Sequence, residues 1–200
     1  MEKSILETFL YNHKLKFNEI EKRVKQRSNK LAYHIKNLLE KGILEKEGEY
    51  YRLSEVSETL IPFISKKTSV LPVILIALEK DNKIFLHQRN KRPFKDKFSL
   101  PGGRLILGET IKEATKRIMK EKFNINCKFK KTNSISLEHV KRKDKTLHSF
   151  LLIFVTAETK DKINLINIEK NKSKIITSDY NLIKNNLNKK IGIEELITKI

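Results

Sequence analysis

The sequence has little cysteine, a deficit of acidic residues and no long apolar stretch. Cys127 is the only cysteine in 200 residues, which excludes an intrachain disulfide and a zinc site made of several thiolates and is typical of a reducing cytoplasm. The longest apolar run, VLPVILIAL at 70–78, is far shorter than the ~20 residues of a membrane span. The first ten residues, MEKSILETFL, lack the apolar segment of a signal peptide. We therefore expect a soluble, cytoplasmic protein.

Basic residues far outnumber acidic ones. The chain has 43 Lys and Arg against 24 Asp and Glu, a formal net charge of +19, and most of the excess lies in residues 69–160. A charge of this size favours a polyanionic partner such as nucleic acid, a nucleotide or a membrane surface. The hydrophobic content of 38% is compatible with an ordinary buried core, in one large domain or two small ones.

Three amphipathic helices are predicted at the N-terminus. Residues 2–12 and 17–24 each place apolar side chains on one helical face. Residues 28–42 follow with a stripe of Leu and Ile, which lies between an N-cap at Ser28 and a stop at Gly42.

A small β-hairpin follows these helices. The segment ILEKEGEYYRLS at 43–54 alternates around a Glu-Gly-Glu turn. Three helices and a β-wing resemble the winged helix-turn-helix domain of archaeal and bacterial transcription regulators. The resemblance covers residues 1–65 and implies that the third helix enters the major groove of duplex DNA. The residues that it places at the DNA are Ser28, Asn29, Lys30, Tyr33 and Lys36. Alternatively, these residues form the solvated face of a helical domain that packs on a neighbour or dimerises.

The remaining chain predicts an α/β (α+β) domain with a mixed sheet. Strands and helices follow one another without βαβ regularity, which favours an α/β sandwich. A helical connector is predicted at 57–67. The elements expected after it are two strands within 71–90 around an Asp-Asn turn, a helix at 108–122, strands near 126–139 and 147–157, and helical segments at 179–187 and 193–199.

The stretch SLPGGRLILGETIKEATKRIMKEKFNI at 99–125 carries the most specific motif. Five residues separate Gly103 from Glu109, and seven separate Glu109 from Arg117. This spacing resembles the Nudix box, G-x5-E-x7-R-E-U-x-E-E-x-G-U, in which U is aliphatic. Flanking segments HQRN, FSLPGG and SKIITSDYNL extend the resemblance to residues 70–188. The matching positions are Gly103, Glu109, Arg117, Met119, Glu121 and Ile125, and the departures are Ile118, Lys122 and Asn124.

The resemblance implies a Nudix α/β/α sandwich that cleaves a pyrophosphate by attack of water, with Mg or Mn held on oxygen ligands. In the family three helix glutamates bind the metal, and here those positions hold Ile118, Glu121 and Lys122. The Gly103 carbonyl and Glu121 remain as ligands for a weakly bound Mg or Mn. Together with Glu121, the catalytic candidates are Glu109 and Arg117, which the resemblance implies brace the loop. Alternatively, these charged residues and Glu113 form a salt-bridged exposed helix face.

Basic residues surround the presumed cleft. They are Arg89, Arg92, Lys95, Lys97, Arg104 and Lys122, of which we take Arg89, Lys97, Arg104 and Lys122 as candidates for phosphate binding. We expect the Lys122 ammonium to point into the cleft, where it attracts a pyrophosphate but cannot acidify a bound water as a metal does. The family often recruits a later glutamate, and the sequence does not choose among Glu138, Glu158 and Glu169.

The sequence therefore favours a DNA-binding transcription regulator whose degenerate Nudix domain, at 70–188, senses a nucleotide or another phosphorylated metabolite. Because such regulators bind paired half-sites, we expect a homodimer. Residues 189–200 are expected to form a helical tail. One alternative is a Mg-dependent Nudix pyrophosphohydrolase that acts on a nucleoside diphosphate derivative and carries the winged helix as an accessory domain. Another is a basic domain that binds protein or RNA.

Overall fold

The chain folds as two compact units, residues 1–69 and 70–200. The computed structural model describes residues 1–59, 64, 69–90 and 94–198. No helix in these described ranges is long and apolar enough to cross a membrane.

Short helices and a three-stranded sheet form the first unit. Its elements are α1 (Glu2–Thr8), β1 (Lys14–Lys16), α2 (Phe17–Val24), α3 (Ser28–Glu40), β2 (Leu44–Glu47), β3 (Tyr50–Leu53) and α4 (Glu55–Glu58). The strands are antiparallel, with β3 between β1 and β2. The predicted helices and hairpin are present, and β1 is a strand that the sequence pattern did not predict.

The core of this unit consists of the apolar stripes of its helices. Ile5, Ile20, Leu31 and Leu38 are fully buried, as the helical periodicity predicts. The predicted N-cap at Ser28 is wrong, because the residue before it holds that position and the Ser28 hydroxyl instead donates to the Glu21 carboxylate.

The predicted helical connector at 57–67 is described only in part. A single helical turn, α4, covers its start, and the N-cap Ser54 hydroxyl accepts a hydrogen bond from the Ser57 amide at 3.3 Å. Residues 60–63 and 65–68, on which most of this prediction falls, lie outside the described residues.

The second unit is built around a mixed sheet. Its elements are β4 (Leu71–Lys80), β5 (Lys83–Ile84), β6 (His87–Gln88), β7 (Phe98–Ser99), β8 (Gly102–Arg104), α5 (Ile111–Phe123), β9 (Lys128–Arg142), β10 (Lys145–Glu158), β11 (Ile166–Asn167) and α6 (Thr177–Asn186). The strand order is β11-β5-β4-β10-β9, and β8 also pairs with β4. Strand β10 runs parallel to β4 and antiparallel to β9, so the sheet is mixed.

Helices cover both faces of this sheet. Because side chains alternate along a strand, Ile74 and Leu75 of β4 belong to different core clusters. Ile74 packs in the cluster that contains Ile118 of α5, whereas Leu75 packs in the cluster that contains Tyr180 and Ile183 of α6. The predicted α/β/α sandwich is therefore confirmed.

The C-terminal segment differs from its prediction. Residues 189–198 contain no helix, so the predicted helical tail and its helix at 193–199 are wrong over the described residues, and residues 199 and 200 lie outside them. The Ile191 amide instead donates to the Thr132 carbonyl at 2.9 Å, which joins the start of this segment to β9.

Candidate active site

The glycine turn is packed directly against the sheet and α5. A Cβ on Gly102 would lie 2.9 Å from the carbonyl oxygen of Ile74, and one on Gly103 would lie 2.9 Å from the Ile118 side chain. Both distances are shorter than the contacts that a Cβ atom makes with other heavy atoms in proteins. Glycine is therefore needed at both positions to bring the turn this close to its neighbours.

Two caps fix the ends of α5. The Thr110 hydroxyl accepts from the Glu113 amide at 3.1 Å, and the Glu113 carboxylate accepts from the Thr110 amide at 2.9 Å, which is a capping box. Asn124 ends the helix in the left-handed conformation, with φ 53°. The helix consequently begins three residues later than the predicted 108–122.

Arg117 ties the loop before α5 to the helix. Its guanidinium donates to both carboxylate oxygens of Glu109, to the Arg104 carbonyl at 3.0 Å and to Glu121 at 3.3 Å. Glu109 also accepts from the Ile106 amide at 3.3 Å. This hydrogen bonding, in which Arg117 donates and Glu109 accepts, lowers the pKa of Glu109 and raises the pKa of Arg117. We call the Glu109–Arg117 pair the brace.

The two positions that depart from the Nudix box lie against the glycine turn. Ile118 is fully buried and touches Gly103. The Lys122 ammonium donates to the Gly102 carbonyl, and its Nζ lies 3.4 Å from where a Cβ on Gly103 would be. The space beside the turn is therefore bordered by an alkyl group and a cation.

The donor set does not fit a protein-held Mg or Mn ion. In the described part of the chain, no three His, Cys, Asp or Glu side chains converge to hold a metal. The predicted ligands Gly103 and Glu121 supply one carboxylate, which is engaged by Arg117 and 59% exposed. They would leave most positions of an octahedral ion unfilled, and the Lys122 charge beside them would repel it.

A cleft of about 750 Å³ opens beside the glycine turn. Its basic lining residues are Arg89, Arg104 and Lys122, its acidic ones are Glu138 and Asp179, and Phe123, Phe150 and Leu152 contribute apolar wall. Three of the four phosphate-binding candidates thus meet at one cleft.

Lys97, the fourth candidate, is placed elsewhere. It lines a second cavity of about 640 Å³ and donates to the Ser173 carbonyl at 2.7 Å. Lys95 lines neither cavity, and Arg92 lies outside the described residues. Lys97 is therefore separated from the other three candidates, in a cavity that adjoins the cleft through the shared lining residues Phe94 and Ile176.

Comparison with known proteins decides the family. The family model of the NUDIX domain matches residues 69–177, which is more than half of the chain. The chain belongs to the Nudix family. An ADP-ribose pyrophosphatase of Methanocaldococcus jannaschii is 49% identical over 53 residues, which cover 26% of this chain and 31% of that relative.

Two solved structures are similar to this chain at low sequence identity. A NUDIX hydrolase from Nitrosomonas europaea superposes with a TM-score of 0.50 at 18% identity and covers 59% of this chain and 70% of its own. A UDP-X diphosphatase has a TM-score of 0.48 at 17% identity, with 91% of this chain and 88% of its own covered.

These findings correct the functional interpretation. The predicted transcription regulator with a sensing Nudix domain is wrong, because the proteins that this chain resembles are a pyrophosphatase and a hydrolase by name. The alternative, a Nudix hydrolase, agrees with them.

The later glutamates have different surroundings in this Nudix domain. Glu138 lines the cleft. Glu158 forms a salt bridge with Lys130 at 2.9 Å, and Glu169 accepts a hydrogen bond from the Tyr180 hydroxyl at 3.1 Å. Glu138 is thus the member of this set that a ligand in the cleft would meet.

Asp179 is a cleft residue that the sequence interpretation missed. Its side chain is 6% exposed and accepts from the Leu100 amide at 2.8 Å. Burial, opposed by the hydrogen bond from the Leu100 amide and reinforced by the nearby Glu138 charge, raises the pKa of Asp179 to about 6. The available signal was its place in SKIITSDYNL, the only acidic residue of a segment that resembles the family's closing strand and helix.

The residues predicted to contact DNA lie on α3 of the first unit. Tyr33 is 63% exposed, and Lys36 pairs with Glu40 at 3.8 Å. Asn29 and Lys30 are exposed in the first turn, where the Ser28 hydroxyl is bound to α2.

Proposed function

We propose that this protein is a Nudix hydrolase that cleaves the pyrophosphate linkage of a nucleoside diphosphate derivative. The observation that supports it most is the Nudix family match over residues 69–177, which surround a cleft lined by three basic side chains. The partial match to an ADP-ribose pyrophosphatase favours a nucleoside diphosphate sugar as substrate class. That match spans under a third of the relative, so we propose the substrate class by similarity and leave the individual substrate to experiment.

The cleft residues suggest how the substrate binds. Arg89, Arg104 and Lys122 can neutralise the phosphate oxygens, and preorganised cations of this kind stabilise the charge that develops when a P–O bond breaks. Phe123 and Phe150 of the apolar wall can pack against the base or ribose of the nucleoside. The cleft volume lies within the range of sites for molecules of nucleotide size.

The acidic residues supply a proton acceptor. In the proposed reaction, the oxygen of a water molecule bonds to phosphorus, the bond to the bridging oxygen breaks, and that oxygen leaves with the electron pair. The proton of the water must go to a base. Asp179, whose pKa is about 6, is ionised above that pH and suits this task near neutrality, and Glu138 stands beside it in the cleft.

Nudix hydrolases generally use Mg or Mn. The predicted weak site at Gly103 and Glu121 has too few oxygen donors for such an ion. Arg89, Arg104 and Lys122 would therefore neutralise the phosphate charge. The winged helix-turn-helix interpretation of residues 1–65 stays a prediction, as do duplex DNA as a partner, the homodimer and the cytoplasmic location.

A hydrolysis screen tests the proposed function. ADP-ribose, other nucleoside diphosphate sugars, dinucleotides and nucleoside triphosphates are incubated with the full chain in Mg²⁺, in Mn²⁺ and in EDTA, and products are separated by chromatography. We expect a nucleoside monophosphate from at least one class, with turnover reduced by Asp179→Asn or Glu138→Gln. Glu158→Gln is the matched control, since Glu158 pairs with Lys130. No turnover of any class by folded protein contradicts the proposal.

A further inference from the structure

The side of α5 that faces the glycine turn carries the ammonium of Lys122 at a position where the Nudix box has a metal-binding glutamate. We propose that the Lys122 ammonium performs the charge-neutralising role of a divalent ion, so that the cleft binds a pyrophosphate group without any metal. The inference rests on the proposed function for the choice of pyrophosphate as the ligand. It concerns binding, which is measured separately from turnover.

The position of Lys122 is fixed by the turn itself. Its Nζ donates to the Gly102 carbonyl and lies close to Gly103. A bulkier residue at 103 would collide with Ile118, so the turn and the ammonium come together only because glycine is present. An ammonium carries three N–H donors, and a phosphate oxygen can therefore share Lys122 with the carbonyl.

The neighbours of Lys122 add positive charge to the cleft. Arg89 and Arg104 line the cleft with it, and guanidinium groups bind phosphate oxygens in pairs. Glu121, the one acidic residue of the box on this part of the helix, is engaged by Arg117. The cleft also holds the acidic residues Glu138 and Asp179, so its three cations leave a small excess of positive charge, which favours a polyanion over a divalent cation.

The alternative, in which a metal completes the site, would need another ligand from α5. Ile118 cannot supply one because its alkyl side chain is fully buried against Gly103. The described residues offer no three-ligand cluster elsewhere. A metal could enter only with the phosphates of the substrate, and binding would then disappear in a chelator.

Calorimetric titration with inorganic pyrophosphate in EDTA distinguishes the two cases. We expect saturable binding by the wild-type chain and at least about tenfold weaker binding by Lys122→Met, which is the loss of one charge-assisted hydrogen bond. The matched control is Lys120→Met, because Lys120 is exposed on the same helix and does not line the cleft. The control should bind within about twofold of wild type.

Three outcomes overturn the inference: binding that requires added Mg²⁺ or Mn²⁺, equal losses in the two lysine variants, or wild-type affinity in Lys122→Met. A second variant, Lys122→Glu, should lose binding in EDTA because it puts a carboxylate against the phosphates, and unchanged binding would also overturn the inference. Thermal melting verifies that each variant is folded. Metal-free binding without turnover of any substrate would contradict the proposed function alone, whereas strictly metal-dependent binding and turnover would contradict this inference alone.

Discussion

The two sides of α5 differ in what they keep of the Nudix box. One side carries Arg117, which holds Glu109 and Glu121 and so ties the loop to the helix. The other side carries Ile118 and Lys122, which contact the glycine turn without supplying a carboxylate. Ion pairing on one side and core packing on the other hold the loop, the turn and α5 together, with a lysine where the family pattern has a carboxylate.

The largest expected effect comes from placing a carboxylate on the packed side. Ile118→Glu should lower the free energy of unfolding by about 4 kcal/mol or more, because it buries an unpaired charge against Gly103. Urea denaturation followed by circular dichroism measures it. Ile118→Val, the matched control, should cost only about 1 kcal/mol. A loss below that of the control would show that the packed side tolerates the family's glutamate.

The next effect concerns the buried carboxyl of the cleft. Because burial raises the pKa of Asp179 to about 6 in the folded state, against ~3.9 when unfolded, folding takes up a proton between these values. The protonated Asp179 therefore contributes its full share to the free energy of unfolding below pH 4, and this share is lost as the pH rises through 6. Asp179→Asn should therefore gain roughly 3 kcal/mol relative to wild type between pH 4 and pH 7.

Denaturation series at several pH values measure this gain. Asp81→Asn, a change at an exposed turn residue, is the control and should show no pH-dependent gain. A constant difference between Asp179→Asn and wild type from pH 4 to 7 would mean that Asp179 ionises normally, and it would weaken the assignment of Asp179 as a base.

On the other side of α5, removal of the brace should have a smaller effect. Arg117→Met should reduce stability by about 1–2 kcal/mol, because the Glu109 side chain, 14% exposed, loses its charged partner. Lys116→Met, at an exposed neighbouring position, should change it by less than about 0.5 kcal/mol. Proteolysis rates at 104–109 report the loop directly. Unchanged rates in Arg117→Met would show that core packing alone holds the loop.

The smallest effect is expected at Lys97. Because this side chain lines the second cavity and bonds to Ser173, Lys97→Met should change the KM for the substrate that the hydrolysis screen identifies by less than about twofold. Arg104→Met, at the cleft, should raise it by about tenfold. Steady-state kinetics compare the KM values of the two variants. A larger effect of Lys97→Met would show that the second cavity also contacts the substrate.

Local patterns predicted most of the fold. Helical periodicity placed α1, α2, α3 and α5, and the resemblance to the Nudix box implied the turn and the brace. These features depend on residues close together in sequence, so their signal is present in short windows. The predicted helix at 193–199 shows the limit of such windows. Leu196 and Ile197 are 88% and 89% exposed, and a short helix without a packing partner is marginal in water.

The composition of the cleft depends on tertiary contacts. Asp179 becomes a buried acid because α6 brings it to Leu100, 79 positions away in the sequence. Glu138 reaches the cleft because β9 pairs with β10 in one particular register. The residues next to Asp179 do not determine its burial, and those next to Glu138 do not determine the strand register. The sequence therefore left the choice of acidic residue open.

The contact between Gly103 and Ile118 also has an evolutionary consequence. Each residue restricts the other, because the turn admits no Cβ while the isoleucine fills the adjoining space. A lineage that acquires a glutamate at 118 by a single substitution must pass through a protein with an unpaired charge in its core, which costs much of the marginal stability of a folded domain. Exchange of Lys122, whose side chain lines the open cleft, meets no such barrier. Position 122 should therefore change more readily than position 118, and new ligand chemistry in the cleft should arise there first.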